Sequence, residues 1–193
     1  MKKRSRLERT REHLRPEEVR RFLEASRKPG LCRNPKRDYC LLLLMFRHGL
    51  RVSEACQIRV SDVDLVEKEI HIRRVKKGKG GTQPLHTGEP RAIKEWLSAR
   101  SAMKPEGTDA LFISERRRPL SRSTVWLLVK KCAQAAGLDE LAIHPHMLRH
   151  ACGYDLANRG ADTRLIQGYL GHRNIQHTVR YTELAPHRFK NLF

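Results

Sequence analysis

Apolar residues recur at helical spacing along most of this chain, and the pattern changes once, near the middle. Val19, Phe22 and Leu23 share one face of a helix predicted to start at Pro16 and end before Gly30. Asn34-Pro35 reads as a cap followed by proline at the first helical position, and Gly49 as the stop of the helix between them. Tyr39 to Phe46 is apolar nearly all round, which places that second helix at the centre of the core. A third helix is predicted from about Ser53 to Ile58. The period then shortens: Ile70, Ile72 and Val75 flank a basic stretch, and KKGKGG leads into Thr82 to Leu85. Two or three short strands around a Gly-containing turn, forming a small antiparallel sheet, account for it. Helical spacing resumes from Pro90 to about Arg100 and from Ser121, as a cap, to Ala136. It returns from His144-Pro145 to Arg159-Gly160, and from Asp162 to Leu170 with Gly171 as stop. A last helix contains Tyr181 or closely precedes it. The fold class is mainly α with a small antiparallel β-sheet.

Charge adds a partner to this picture. Forty Lys and Arg against twenty-one Asp and Glu give a formal net charge of +19 on 193 residues. Self-repulsion on that scale is relieved by a polyanion, and each phosphate neutralised releases counterions, so binding should be steeply salt-dependent. Charge alone equally suits a ribosomal or chromatin-like protein. The 39% of hydrophobic residues, and Gly and Pro at helix ends instead of in basic tracts, indicate a folded domain with a basic surface. The apolar run Tyr39 to Phe46 is too short to span a bilayer, and MKKRSRLERTREHLR carries charges where a signal peptide needs apolar residues. Cys32, Cys40, Cys56, Cys132 and Cys152 are scattered without a CxxC pair, which fits free thiols in a reducing cytoplasm.

Candidate chemistry lies in three patches, GLRVSE at 49–54, HPHMLRH at 144–150 and YLGHRNIQHTVRY at 169–181. They hold Arg51, His146, Arg149, His172 and Tyr181. Two arginines, two imidazoles and a phenol suffice to attack a phosphodiester without a metal. The arginines hold charge on phosphate oxygens, an imidazole handles the phenol's proton, and the phenolate oxygen is the nucleophile. Arg51 lies where one helix stops and the next begins, a position that disfavours a cation unless an anion meets it. Glu54, one turn on, would serve as a plain surface partner. His146 and Arg149, three apart, project from one helix face. His150 is expected to pack or bond within its helix. Tyr39, Tyr154 and Tyr169 are better explained as core anchors than as nucleophiles. No acidic or thiol partner stands at ligand spacing from the histidines, so neither a metal nor a cofactor is expected.

The same patches, in this order and spacing, resemble the tyrosine recombinases of the phage integrase family, from about Leu14 to about Pro186. The resemblance implies the catalytic-domain fold of that family, with residues 1–13 as a basic arm and 14–193 as the catalytic domain. It makes Tyr181 the nucleophile, forming a 3′-phosphotyrosyl link, and has His172 hydrogen-bond a phosphate oxygen. It also requires a hairpin lysine that protonates the leaving 5′-hydroxyl. RRVKKGKGG offers Lys76, Lys77 and Lys79. Counting back from Pro84-Leu85 selects Lys76, whereas aligning on lysine-glycine selects Lys77, and strand alternation forbids both from facing the site. Lys76 is the assignment taken here, with Lys77, Lys79, Arg73 and Arg74 on the DNA backbone. Only 50 residues precede Arg51, with no separate DNA-clamping domain among them. In this the chain resembles the compact invertases of fimbrial phase variation. That subgroup implies double-stranded DNA with inverted-repeat sites, a homotetramer on paired sites, accessory DNA-bending proteins, a cytoplasmic, nucleoid-associated location and no membrane. Phe189, Leu192 and Phe193 give the tail one apolar face, which either folds back on the chain's own core or, as the segment after the tyrosine often does in the family, docks on a neighbouring protomer. A type IB topoisomerase, or a DNA-binding regulator without catalysis, are the alternatives.

Overall fold

The computed structural model describes residues 11–74, 80–105, 107–138 and 142–183. Helix α1 spans Pro16–Ala25 and α2 spans Pro35–Arg47, each opening on a proline whose missing N–H costs the first turn nothing. The Asn34 side chain accepts from Arg37 N at 3.3 Å, so the predicted cap is made. On α2, Cys40 through Met45 are buried without interruption, and the helix packs against α4 and α6, defined below. Its all-apolar pattern is therefore that of a central helix. Gly49 ends it with φ +56, and the short α3, Val52–Gln57, follows directly.

Among the described residues the sheet has three antiparallel strands in the order β1 (Val63–Asp64), β2 (Glu69–Ile72) and β3 (Gly81–Pro84). Ile70 pairs with Gln83 and Ile72 with Gly81. Ile70 and Ile72 face the core, and Glu69 and His71 face outward, the alternation expected of a half-buried strand. Gln83 is buried too. Its Oε1 meets His48 Nδ1 at 2.8 Å and its Nε2 donates to Tyr169 O at 2.8 Å, which clamps the sheet to the end of α2.

Helix α4, Glu89–Ala102, buries Trp96, whose Nε1 donates to Leu111 O at 2.9 Å. Helix α5, Arg122–Ala135, is capped by Ser121, and α6 spans His146–Asn158. Helix α7, Thr163–Leu170, begins at its Asp162 cap and ends at Gly171 with φ +67. Helix α8, Gln176–Glu183, contains Tyr181. Most buried apolar residues form one core; Cys152, Ala157, Ile166, Leu170 and Tyr181 form a second, smaller cluster under α8. The five cysteines are free, and Cys56 is the partly exposed member. No helix among the described residues is long and apolar enough to cross a membrane.

Candidate active site

The turn between α2 and α3, the start of α6, and α7–α8 converge on a cleft of about 570 Å³. Arg51, His146, Arg149, His172 and Tyr181 all line it, together with His144, His150, His177, Arg180 and Glu12. Residues separated by 130 positions in the chain thus share one wall, and the reason is local at each corner. Gly49 permits the left-handed turn that brings Arg51 to the head of α3. Any side chain there would set a Cβ 2.3 Å from Leu170 Cδ2. Gly171 turns the chain from α7 so that His172 faces the cleft.

Glu54 organises the arginines. It is 2% exposed and accepts from Arg51 N at 2.9 Å, Arg51 Nη1 at 2.7 Å and Arg74 Nη1 at 2.9 Å, while Arg149 Nη1 lies 3.8 Å away. Burial raises its pKa, but these arginine contacts outweigh burial and hold it below the usual carboxylate range. Among the described residues, one carboxylate faces three guanidinium groups, an excess of positive charge in a setting where low polarity strengthens its pull on an anion. The surface pairing expected of Glu54 is thereby corrected: the pair with Arg51 exists, but the carboxylate is interior.

Arg149 is 1% exposed and donates to Gly49 O at 2.5 Å and Leu170 O at 2.7 Å. Burial, then repulsion from Arg51 and Arg74, pulls its pKa down to about 10, which still leaves it charged near neutrality. Its Nε is buried with no protein acceptor among the described residues. An orphan donor of this kind in a cationic cleft is a place for an oxyanion.

His146 and His172 are neutral near pH 7. Burial, reinforced by neighbouring cationic groups, lowers His146 to about 4 and His172 to about 3. His172 Nδ1 lies 2.8 Å from Thr178 Oγ1, and its ring stacks on Tyr181 with centroids 6.2 Å apart. Tyr181 is 1% exposed, and burial pushes its phenol up to about 12. Its Oη is 2.8 Å from His150 Nδ1. His150 therefore bonds across to α8, not within its own helix as expected. Gly153, one turn along α6, leaves the space that the Tyr181 ring fills.

Of the four basic residues expected on DNA, Lys77 and Lys79 lie outside the described residues, as does Lys76, the expected general acid. The tail after Glu183 does too. Arg73 is half exposed and paired with Asp62 at 2.5 Å. Arg74 requires correction: its side chain is 1% exposed, bonded to Glu54, His48 O and Tyr169 O, so it cannot reach a phosphate on the surface. Its neighbour's opposite fate follows from alternation along an extended segment. Sequence reasoning missed the buried role of Glu54, the contact of His150 with Tyr181, and Gly153. The first lay in plain view inside GLRVSE.

The Phage integrase family model matches residues 12–188. Over 157 residues the chain is 50% identical to the type 1 fimbriae regulatory protein FimB of Escherichia coli strain K12, covering 81% of this chain and 78% of that protein. The crystal structure of XerA recombinase superposes with a TM-score of 0.81 at 29% identity, over 94% of this chain and 63% of that one. The XerH site-specific recombinase in a post-cleavage complex with palindromic difH substrate gives a TM-score of 0.79 at 27% identity. This chain spans 92% of its own length in that match and 51% of the XerH chain. A family model running through all three motif patches, on a fold shared with two recombinases, settles the family: the chain belongs to the phage integrase family, the tyrosine site-specific recombinases.

Proposed function

We propose that this protein cuts and rejoins double-stranded DNA at inverted-repeat sites, and that the segment it inverts carries a promoter controlling fimbriae. The observation that supports it most is the convergence of Arg51, Arg149, His146, His172 and Tyr181 on one cationic cleft. In this reading the scissile phosphate lies between the two arginines, with Arg149 Nε taking one of its non-bridging oxygens. Thr178 donates to His172 Nδ1, so that His172 Nε2 carries a hydrogen for another oxygen. Tyr181 Oη attacks phosphorus, the 5′-oxygen leaves with a proton from Lys76, and the 3′-phosphotyrosyl link keeps the bond energy for rejoining. Charge stabilisation falls to the arginines, so neither a metal nor a nucleotide enters these steps.

The surface next to the cleft suits a duplex. Arg122, Ser123 and the half-exposed Trp126 of α5 border a hollow of about 780 Å³ shared with Arg51 and His146, and Arg164 and Arg173 border another shared with His172. A tetramer on paired sites, DNA-bending helpers and work at the nucleoid belong to the same reading. FimB, named for regulating type 1 fimbriae, supplies the biological end of it. The test is Tyr181→Phe on a nicked suicide substrate. Covalent protein–DNA adducts should disappear from denaturing gels while DNA binding persists. Adducts that survive the substitution would refute the assignment.

A further inference from the structure

The imidazoles around Tyr181 are not equivalent. His172 stacks on the phenol ring, but its Nδ1 is engaged by Thr178. His146 meets the His150 ring edge-on, with centroids 4.6 Å apart. Among the described residues, the imidazole nitrogen that reaches the reactive oxygen is His150 Nδ1, at 2.8 Å from Tyr181 Oη. That contact is fixed from both sides. His150 sits inside α6 next to Arg149, with 8% of its surface exposed, and Tyr181 is wedged on α8 against Gly153 and the edge of Tyr154.

We propose that His150 is the general base of strand cleavage, a catalytic residue additional to Arg51, His146, Arg149 and His172. The inference rests on Tyr181 being the nucleophile. A neutral imidazole protonated at Nε2 offers its lone pair at Nδ1, and the phenol donates into it. In cleavage the bond from Oη to phosphorus forms, the Oη proton passes to His150 Nδ1, and the bond from phosphorus to the 5′-oxygen breaks. That oxygen takes its proton from the hairpin lysine. In rejoining, the imidazolium returns its proton to Oη as the phosphotyrosyl bond breaks. Burial lowers the His150 pKa to about 4, with Arg149, His144 and His13 adding to the effect, so the ring is neutral and ready to accept near pH 7. The phenol, pushed to about 12, does not ionise in advance, so its proton leaves during the attack. The groups facing His150 are His146 and Arg149 on its own helix, Tyr181 on α8, His144 in the preceding loop, His13 in the N-terminal segment and His172 across the cleft.

The experiment is single-turnover adduct formation on nicked DNA from about pH 3.5 to 10, a range that brackets the His150 titration near 4, for the wild type, His150→Gln, His150→Ala and Tyr181→Phe. Glutamine keeps a hydrogen-bonding group without basicity. His150→Gln should form adduct about 10²–10⁴-fold more slowly with unchanged DNA binding, and should lose the fall in rate at acid pH. Added imidazole should restore part of the rate of His150→Ala. Should both variants unfold, the wild type on DNA with sulfur in the 5′ leaving position gives an independent reading, because sulfur departs without a proton. Its adduct should form more slowly in D₂O than in H₂O, since the Tyr181 proton alone is then in flight. A Tyr181-dependent adduct made by His150→Gln at the wild-type rate or with the wild-type pH profile, or no D₂O effect on the sulfur substrate, would overturn the role of His150 alone. An adduct from Tyr181→Phe would bring down the nucleophile assignment beneath it.

Discussion

Gly153→Ala is the sharpest probe of how Tyr181 is seated. A Cβ built at position 153 lies 2.7 Å from Cε2 and Cζ of Tyr181 and 2.8 Å from Cδ2. Carbon atoms rest at about 3.5–4.0 Å, so the ring must retreat by about 1 Å. It has little room to do so: His150 holds the hydroxyl, Tyr154 abuts the ring edge with centroids 5.1 Å apart, and His172 stacks on the ring. Overpacking of this kind costs about 1–3 kcal/mol. Replacing a mid-helix glycine by alanine returns about 0.5–1 kcal/mol. The net expectation is a loss of roughly 0–2.5 kcal/mol. Gly168→Ala is the control, because that helical glycine has nothing within 4 Å of its would-be Cβ and should show the helical gain alone. Urea melts of the two variants then isolate the clash as their difference, about 1–3 kcal/mol. A displacement of about 1 Å at the Tyr181 oxygen, the proposed nucleophile, should also slow adduct formation about 10²-fold. If Gly153→Ala matched Gly168→Ala in stability and cleaved at the wild-type rate, the ring would not be packed there in the working enzyme.

Glu54→Gln should destabilise the fold by about 3–5 kcal/mol in denaturant melts, because it leaves the interior Arg74 and its neighbours without their counter-charge. A loss under about 1 kcal/mol would mean the carbonyls alone suffice. Acid should weaken the fold in a defined window. His146, His150 and His172 have folded pKa values of about 4, 4 and 3 against an ordinary 6.5, so the unfolded chain binds their protons first. Their contribution is complete above pH 6.5 and declines as pH falls toward 4, with Glu54 adding its own decline only below its ordinary 4.5. Melting temperatures across that range should fall, and a flat profile from neutrality to pH 4.5 would contradict the assignment.

Punctuation in the chain explains why the fold was legible. Pro16, Asn34-Pro35, Ser121, Asp162 and Gly171 each mark a helix end by a backbone requirement local to that residue, and each does so in the structure. Strand β1 was not separately legible, because two residues carry no period. That Arg51, His146, Arg149, His172 and Tyr181 belong together was legible through their spacing, and all five line one cleft. What escaped depends on tertiary neighbours. Arg73 and Arg74 look alike in a basic run, yet alternation turns one outward to Asp62 and the other into the core. His146 and His150 share a helix face at a spacing of four, and only the placement of α8 determines which of them meets Tyr181.

The guanidinium groups of Arg149 and Arg74 are held largely by main-chain oxygens, those of Gly49, Leu170, His48 and Tyr169. A carbonyl is present whatever side chain its residue bears. Substitutions around this cradle that preserve the backbone therefore leave its acceptors in place, and the apparatus is inherited as a shape more than as a string of letters. Fragility concentrates where the shape has no alternative: at Gly49, with its positive φ and the Leu170 side chain against it, and at Glu54, the carboxylate shared by the arginines. Residues on the rim carry no such burden. A lineage can thus alter which DNA it prefers through its rim while the cutting machinery stays unchanged.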